Sequence, residues 1–199
     1  MTVADLPDAV QGASAWYRPT LADDDRWVYR FNADELSELE SAIDSATVSG
    51  RPMLEVTSAE FALPTLAPTF ATLRREVLSG CGVVLLRGLP VLRWPVERTA
   101  MALWGIGAHL GNARSQNADG HLLGHVRDMG LTTADPNVRI YQTRERQQYH
   151  TDTCDIVALL CLQTAARGGL SAIVSSMTIY NELRRREPEL AALLFDAFP

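Results

Sequence analysis

The stretch QQYHTDTCD, residues 147–155, brings an imidazole and two carboxylates together as His150, Asp152 and Asp155. In an extended chain, side chains two apart leave on the same face. His150 and Asp152 would therefore present a nitrogen and a carboxylate side by side, their α-carbons about 6–7 Å apart. That is the arrangement of two neighbouring metal ligands. Two histidines and one carboxylate on one face of an ion leave coordination positions open, as oxygen-activating non-haem iron requires. A plain reading competes: His150 makes a local hydrogen bond, and Asp152 and Asp155 merely begin a strand. Context weighs against it, because the run that follows, IVALLCL, has the composition of a buried strand. A carboxylate entering a buried sheet is costly unless it is paired or bound to a cation.

Other candidates carry less. GHLLGH sets His121 and His125 four apart, the spacing of a helical zinc pair. Leu122 stands where H-E-x-x-H needs its glutamate, and Gly120 and Gly124 weaken a helix, so these histidines are expected in a loop, exposed or near a substrate mouth. GIGAHLG, with Gly105, Gly107 and Gly111, is one residue longer than the dinucleotide fingerprint and follows a helix rather than a strand. Cys154 shares the face of His150 and Asp152; a mixed thiolate site is the alternative to the core-packing role we expect of it. Arg114, Gln116 and Asn117 could contact a substrate or simply be solvated. Arg184, Arg185 and Arg186 read as a solvated helical face, with Glu182 and Arg186 paired at i,i+4.

The chain that must position these groups has 199 residues, 47% hydrophobic and 21% charged, enough for one substantial core. A formal net charge of −6 argues against nucleic acid, whose binding needs a cationic field. Three cysteines without C-x-x-C spacing read as reduced core residues, which suits a cytoplasmic protein. Asp5 and Asp8 stand where a signal peptide would be basic or apolar, and no apolar run approaches the ~20 residues that span a bilayer.

Residues 1–31 mix prolines and aspartates with Trp16, Tyr17, Trp27 and Tyr29, as expected of a segment that wraps a surface and inserts aromatics. NADELSELESAIDSATVSG predicts a helix capped by Asn32 or Asp34, with Leu36, Leu39 and Ile43 inward and Gly50 as its stop. LAPTFATLRREVLSG predicts a second, with Phe70, Leu73 and Val77 on one face, leading to a buried strand in GVVLLRGLP. A helix from Pro95 is expected to fray at Gly105 and Gly107, and residues 111–136 form a long excursion. VRIYQT, IVALLCL and SAIVSS predict strands, with a turn at Gly168 and Gly169. A helix capped by Ser175 or Ser176 follows, and Pro188 starts another. The class is α+β.

YHTDTCDIVALLCLQTAARGGLSAIVSSMTIYNEL resembles the TauD/TfdA family of Fe(II)- and 2-oxoglutarate-dependent dioxygenases. The order is theirs: H-[TS]-D, an apolar strand, G-G-x-[TS], a strand, a helix. GCGVVLLRGLP and GIGAHLG extend the likeness upstream, so that it covers about residues 80–198. The resemblance implies a double-stranded β-helix, or jelly roll, carried in its first part by residues 80–199, with 1–79 a helical elaboration packed on it. It implies His150 and Asp152 as iron ligands and Ser171 as the hydroxyl that bonds a carboxylate of 2-oxoglutarate. It implies an oxygenase that oxidises a C–H bond of a small molecule while O2 and 2-oxoglutarate become succinate and CO2. The related halogenases lack the carboxylate that Asp152 supplies, so hydroxylation or a similar oxidation is expected. The family also uses a second histidine and an arginine from later strands, yet no histidine follows Ser171 here. The sequence is therefore expected to be the N-terminal part of a longer protein; its apolar end, FDAFP, agrees. The alternative is a non-catalytic binding or interaction domain on the same scaffold. No membrane or nucleic-acid partner is expected, and a homo-oligomer is compatible with all of this.

Overall fold

A computed structural model describes residues 2–117 and 119–197. Its elements run α1 (Arg18–Ala22), β1 (Val28–Arg30), α2 (Ala33–Val48), α3 (Ala67–Ser79), β2 (Leu85–Arg87), α4 (Val96–Leu110), α5 (Ser176–Arg186) and α6 (Pro188–Leu193), with short 3₁₀ turns between them. The apolar end read from FDAFP reaches Phe198 and Pro199, which lie outside the described residues.

The helices form where their caps say they should. Asn32 and Glu35 close a reciprocal capping box on α2, each side chain bonding the other's backbone N–H at 2.9 Å. Leu39, Ala42, Ile43 and Ala46 follow at helical spacing and are buried. α3 carries proline in its first turn and ends at Gly80, with Phe70 wholly buried. α4 packs against both, and Met101, Ala102 and Ile106 meet Leu39, Ile43, Phe61, Leu66 and Phe70 in one core.

α4 does not fray at its glycines: it runs unbroken through Gly105 and Gly107 to Leu110. The reason is contact. A β-carbon on Gly105 would lie 2.5 Å from ring carbons of Phe61, so the missing side chain is what lets Phe61 press against the helix. Trp104 Nε1 donates to Val56 O at 2.8 Å, and His109 Nε2 lies 2.8 Å from Phe61 O, fixing the same loop at two further points.

β1 and β2 pair in parallel, Val28 opposite Leu85 and Arg30 opposite Arg87. β2 was expected from its composition as a buried strand and is half-buried; β1 lies inside the segment read only as a wrapping one. That segment does insert its aromatics. Trp16 Nε1 donates to Cys81 O at 2.7 Å, and Tyr29 sits edge-on to Phe31 at 5.4 Å.

Residues 5–17 then cross to α5 and α6. Leu6 is buried against Ala191 and Ala192. Asn181 clasps Val10, accepting from its N–H and donating to its carbonyl, both at 2.8 Å. Tyr180 and Arg184 donate to Pro7 O, Thr178 Oγ1 donates to Trp16 O, and Ser175, the N-cap of α5, donates to Ser14 O. Arg185 and Arg186 lie on the exposed face expected of them, both within 2.7 Å of Glu182.

The helices and the small sheet agree with an α+β class, but the jelly-roll strands expected over 138–143, 156–162 and 171–176 are not formed. Residues 140–142 make a 3₁₀ turn, 156–175 are irregular, and α5 begins at Ser176. A strand, unlike a helix, draws its backbone hydrogen bonds from neighbours. No described strand lies beside these runs. Their apolar side chains are consequently open to solvent: Leu159 is 77% and Leu170 95% exposed. Gly168 and Gly169 do take the left-handed conformation that glycine favours, with φ of +70° and +66°, next to a bend at 166–167.

Candidate active site

The approach to His150 is ordered by an excursion folded back on itself. Arg127 and Met129 donate backbone N–H groups to Tyr141 O and Gln142 O at 3.1 and 2.8 Å. Glu145 receives the N–H and hydroxyl of Thr133 at 3.1 and 2.6 Å, and these bonds hold its carboxyl below the usual range. The chain then runs without regular secondary structure through Gln147 to Asp152, with a bend at Tyr149.

The side chains of His150 and Asp152 come together. His150 Nε2 lies 3.8 Å from Asp152 Oδ1, and both side chains are about half exposed, at 48% and 51%. His150 Nδ1 lies 2.8 Å from Gln148 O. A nitrogen facing a carbonyl is placed to donate its N–H there. The amide nitrogen of Gln147 lies 3.0 Å from Nε2. A backbone carbonyl bonded to the far ring nitrogen is how proteins orient a metal-binding histidine and fix its tautomer.

These two donors therefore fit a divalent ion. Ligands about 2.1 Å from one ion and at right angles to each other lie about 3 Å apart, within reach of rotation for two half-exposed side chains. The set is not complete: among the described residues no three His, Cys, Asp or Glu side chains gather to hold a metal. Ser171 is exposed and forms no hydrogen bond with another described residue, and Asp155 is exposed as well.

The remaining candidates separate from this pair. His121 and His125 are exposed and on no helix; His121 Nδ1 lies 2.8 Å from Asn117 Nδ2, in a turn that Asn117 also caps through the His121 N–H. The expectation that all three cysteines are core residues is corrected. Cys154 and Cys161 are exposed, because the runs that hold them lack a covering layer, while Cys81 is half-buried and burial pushes its thiol up. Gln147 and Gln148 were not picked out from sequence, although both lie within three residues of His150 and have side chains or carbonyls able to reach a ring nitrogen.

A family model, "Taurine catabolism dioxygenase TauD, TfdA family", matches residues 44–198. The chain belongs to this TauD/TfdA family. The family match starts well before the His150 region and takes in α3, α4 and the sheet strand β2. Among curated proteins, the chain is 31% identical over 191 residues to "FR-33289 synthase" of Streptomyces rubellomurinus (strain ATCC 31215), covering 96% of this chain and 56% of that protein. It is 27% identical over 187 residues to "Taurine hydroxylase-like protein SAT17" of Stachybotrys chartarum (strain CBS 109288 / IBT 7711), covering 90% of this chain and 49% of that one. The chain thus spans about half the length of these TauD/TfdA relatives. No helix among the described residues is long and apolar enough to cross a membrane.

Proposed function

We propose that the protein is an Fe(II)- and 2-oxoglutarate-dependent oxygenase that oxidises a C–H bond of a small molecule, with residues 80–199 forming the first part of the catalytic domain and 1–79 packed on it. His150, through Nε2, and Asp152, through Oδ1, are two of the protein ligands. Ser171 donates its hydroxyl to a carboxylate of 2-oxoglutarate. When bound, Fe(II) with O2 and 2-oxoglutarate supplies an oxidant strong enough for an unactivated C–H bond, with succinate and CO2 as the other products.

This chain's own residues hold and orient. Gln148 O engages His150 at Nδ1 and leaves Nε2 to serve as the donor atom; the folded excursion 127–145 delivers the 147–152 segment. The third protein ligand and the cation for the far carboxylate of 2-oxoglutarate come from polypeptide outside these 199 residues. What supports the reading above all is one observation: His150 Nε2 and Asp152 Oδ1 lie 3.8 Å apart, with the far ring nitrogen of His150 against Gln148 O.

The test is anaerobic addition of Fe(II) and 2-oxoglutarate to the protein expressed from its complete reading frame. A visible charge-transfer band that His150→Ala removes is the expected result. Its absence would favour a non-catalytic binding domain, the reading that the incomplete donor set among the described residues keeps in play.

A further inference from the structure

The function proposed above makes no use of a hollow in the excursion, where residues 125–129 meet 141–142. It has a volume of about 370 Å3 and is lined by His125, Arg127, Met129, Tyr141 and Gln142. That volume is in the range of small-molecule sites. Its walls are tied to each other, since the Arg127 N–H donates to Tyr141 O and the Met129 N–H to Gln142 O. The polar groups along it are one-sided. Among the described residues, the Arg127 guanidinium, the His125 imidazole and the Tyr141 hydroxyl have no hydrogen-bond or ionic partner. Gln142 Oε1 is committed to the Arg139 N–H at 3.0 Å, which leaves its NH2 group, in reach only of Met129 Sδ at 4.0 Å.

The acids nearby are engaged elsewhere. Asp128 Oδ1 takes the Gly130 N–H at 2.8 Å, Asp135 Oδ1 the Asn137 N–H at 2.9 Å, and Glu145 the N–H and hydroxyl of Thr133. Every ion pair among the described residues lies outside 111–146, although this excursion holds five arginines against four acids in a chain of net charge −6. Donors gathered in a concave site without an acceptor attract an oxyanion, which a guanidinium grips through paired hydrogen bonds. Met129 and the Tyr141 ring add apolar surface for a carbon body beside it. We propose that this hollow binds a small organic anion: Arg127, with His125, Tyr141 and Gln142, holds its carboxylate, sulfonate or phosphonate group, and Met129 and Tyr141 cover its carbon chain. The site needs no metal and stands whether or not His150 and Asp152 hold iron. It is also separate from the place given to 2-oxoglutarate, since Ser171 does not line it.

The test uses protein from the complete reading frame, without added metal. It follows the methyl resonance of butanoate, propane-1-sulfonate and propylphosphonate, three anions that share one propyl chain. Broadening of at least one is expected, and none of propylammonium. Arg127→Gln should weaken that binding about tenfold, as expected for the loss of a hydrogen bond to a charged group, and Arg127→Lys should keep part of it. Arg139→Gln removes a charge from the same excursion but not from the hollow, and should bind as the unaltered chain does. Inorganic phosphate, which has no carbon chain, should compete several-fold less well than the bound probe. The proposal is overturned if none of the three anions binds, if propylammonium binds equally, or if Arg127→Gln keeps full affinity. It is overturned as well if Arg139→Gln loses as much as Arg127→Gln, which would make the attraction one of diffuse charge. Inorganic phosphate competing as well as the organic probe would overturn it too, since the ligand would then be a free ion.

Discussion

Residues 31–110 and 147–175 have similar appetites for burial and opposite fates. In the first, Leu39, Phe61, Leu66 and Phe70 are 0% exposed. In the second, Val157 is 53%, Leu159 77% and Leu170 95% exposed. The difference lies in who satisfies the backbone. α2, α3 and α4 each close their own hydrogen bonds and need only a face to pack against, which they give one another. The apolar runs after His150 are strand-like and depend on neighbours that the described residues do not provide. Hydrophobicity alone therefore decides what would be buried, not whether a partner is there to bury it. The candidate site sits at the start of the second region.

The comparison can be broken by substitution. Phe61→Ala should cost about 3–5 kcal/mol of stability in urea unfolding, whereas Leu159→Ala should change it by less than about 0.5 kcal/mol; equal losses would mean that the second region is packed after all. Gly105→Ala should cost about 1–3 kcal/mol by overpacking, because its new methyl would meet the Phe61 ring at 2.5 Å. Adding Phe61→Leu should recover part of that loss, and failure to do so would remove the Gly105–Phe61 contact as the cause.

On the open side the effects should be functional only. Ser171→Ala should weaken apparent 2-oxoglutarate affinity by about 0.5–1.5 kcal/mol while leaving the urea midpoint in place. An unaltered affinity would take Ser171 out of the binding set.

The smallest effect concerns acid. The Tyr17 hydroxyl, and then Arg185 and Arg186, hold the Glu182 carboxyl down to about 2. A carboxyl lowered in the folded state contributes fully above its ordinary value of 4.5, and that contribution disappears as pH falls toward about 2. The contact of residues 5–17 with α5 should loosen across that window, read as protease cleavage within the segment. In Glu182→Gln the cleavage should lose this dependence; an unchanged pH profile would discount the Tyr17–Glu182 bond.

Much of the helical layer was legible because its signals are local. Asn32 with Glu35, Pro68, Gly80, Ser175 and Pro188 each mark a boundary within a turn of the residues they serve, and the boundaries fell there. The continuity of α4 was not legible, since what rescues Gly105 is Phe61, forty-odd positions away and on no predicted element. β1 was hidden for a similar reason: three residues, Val28–Arg30, gain strand geometry only from Leu85–Arg87. At the site, His150 and Asp152 do lie close, 3.8 Å between Nε2 and Oδ1, but on a bent segment rather than the strand the period-two reading assumed. The neighbouring glutamines did not stand out, because nothing about an amide's type says which ring nitrogen it will meet.

The clasp of Pro7 and Val10 on Arg184 and Asn181 joins positions separated by 177 and 171 residues. Closing so wide a loop is entropically dear and cannot precede the elements it ties together. On a ribosome, residues 5–17 must wait for α5 and α6 before they find their seat. Amide hydrogen exchange should accordingly show this seam opening well before the three-helix layer does.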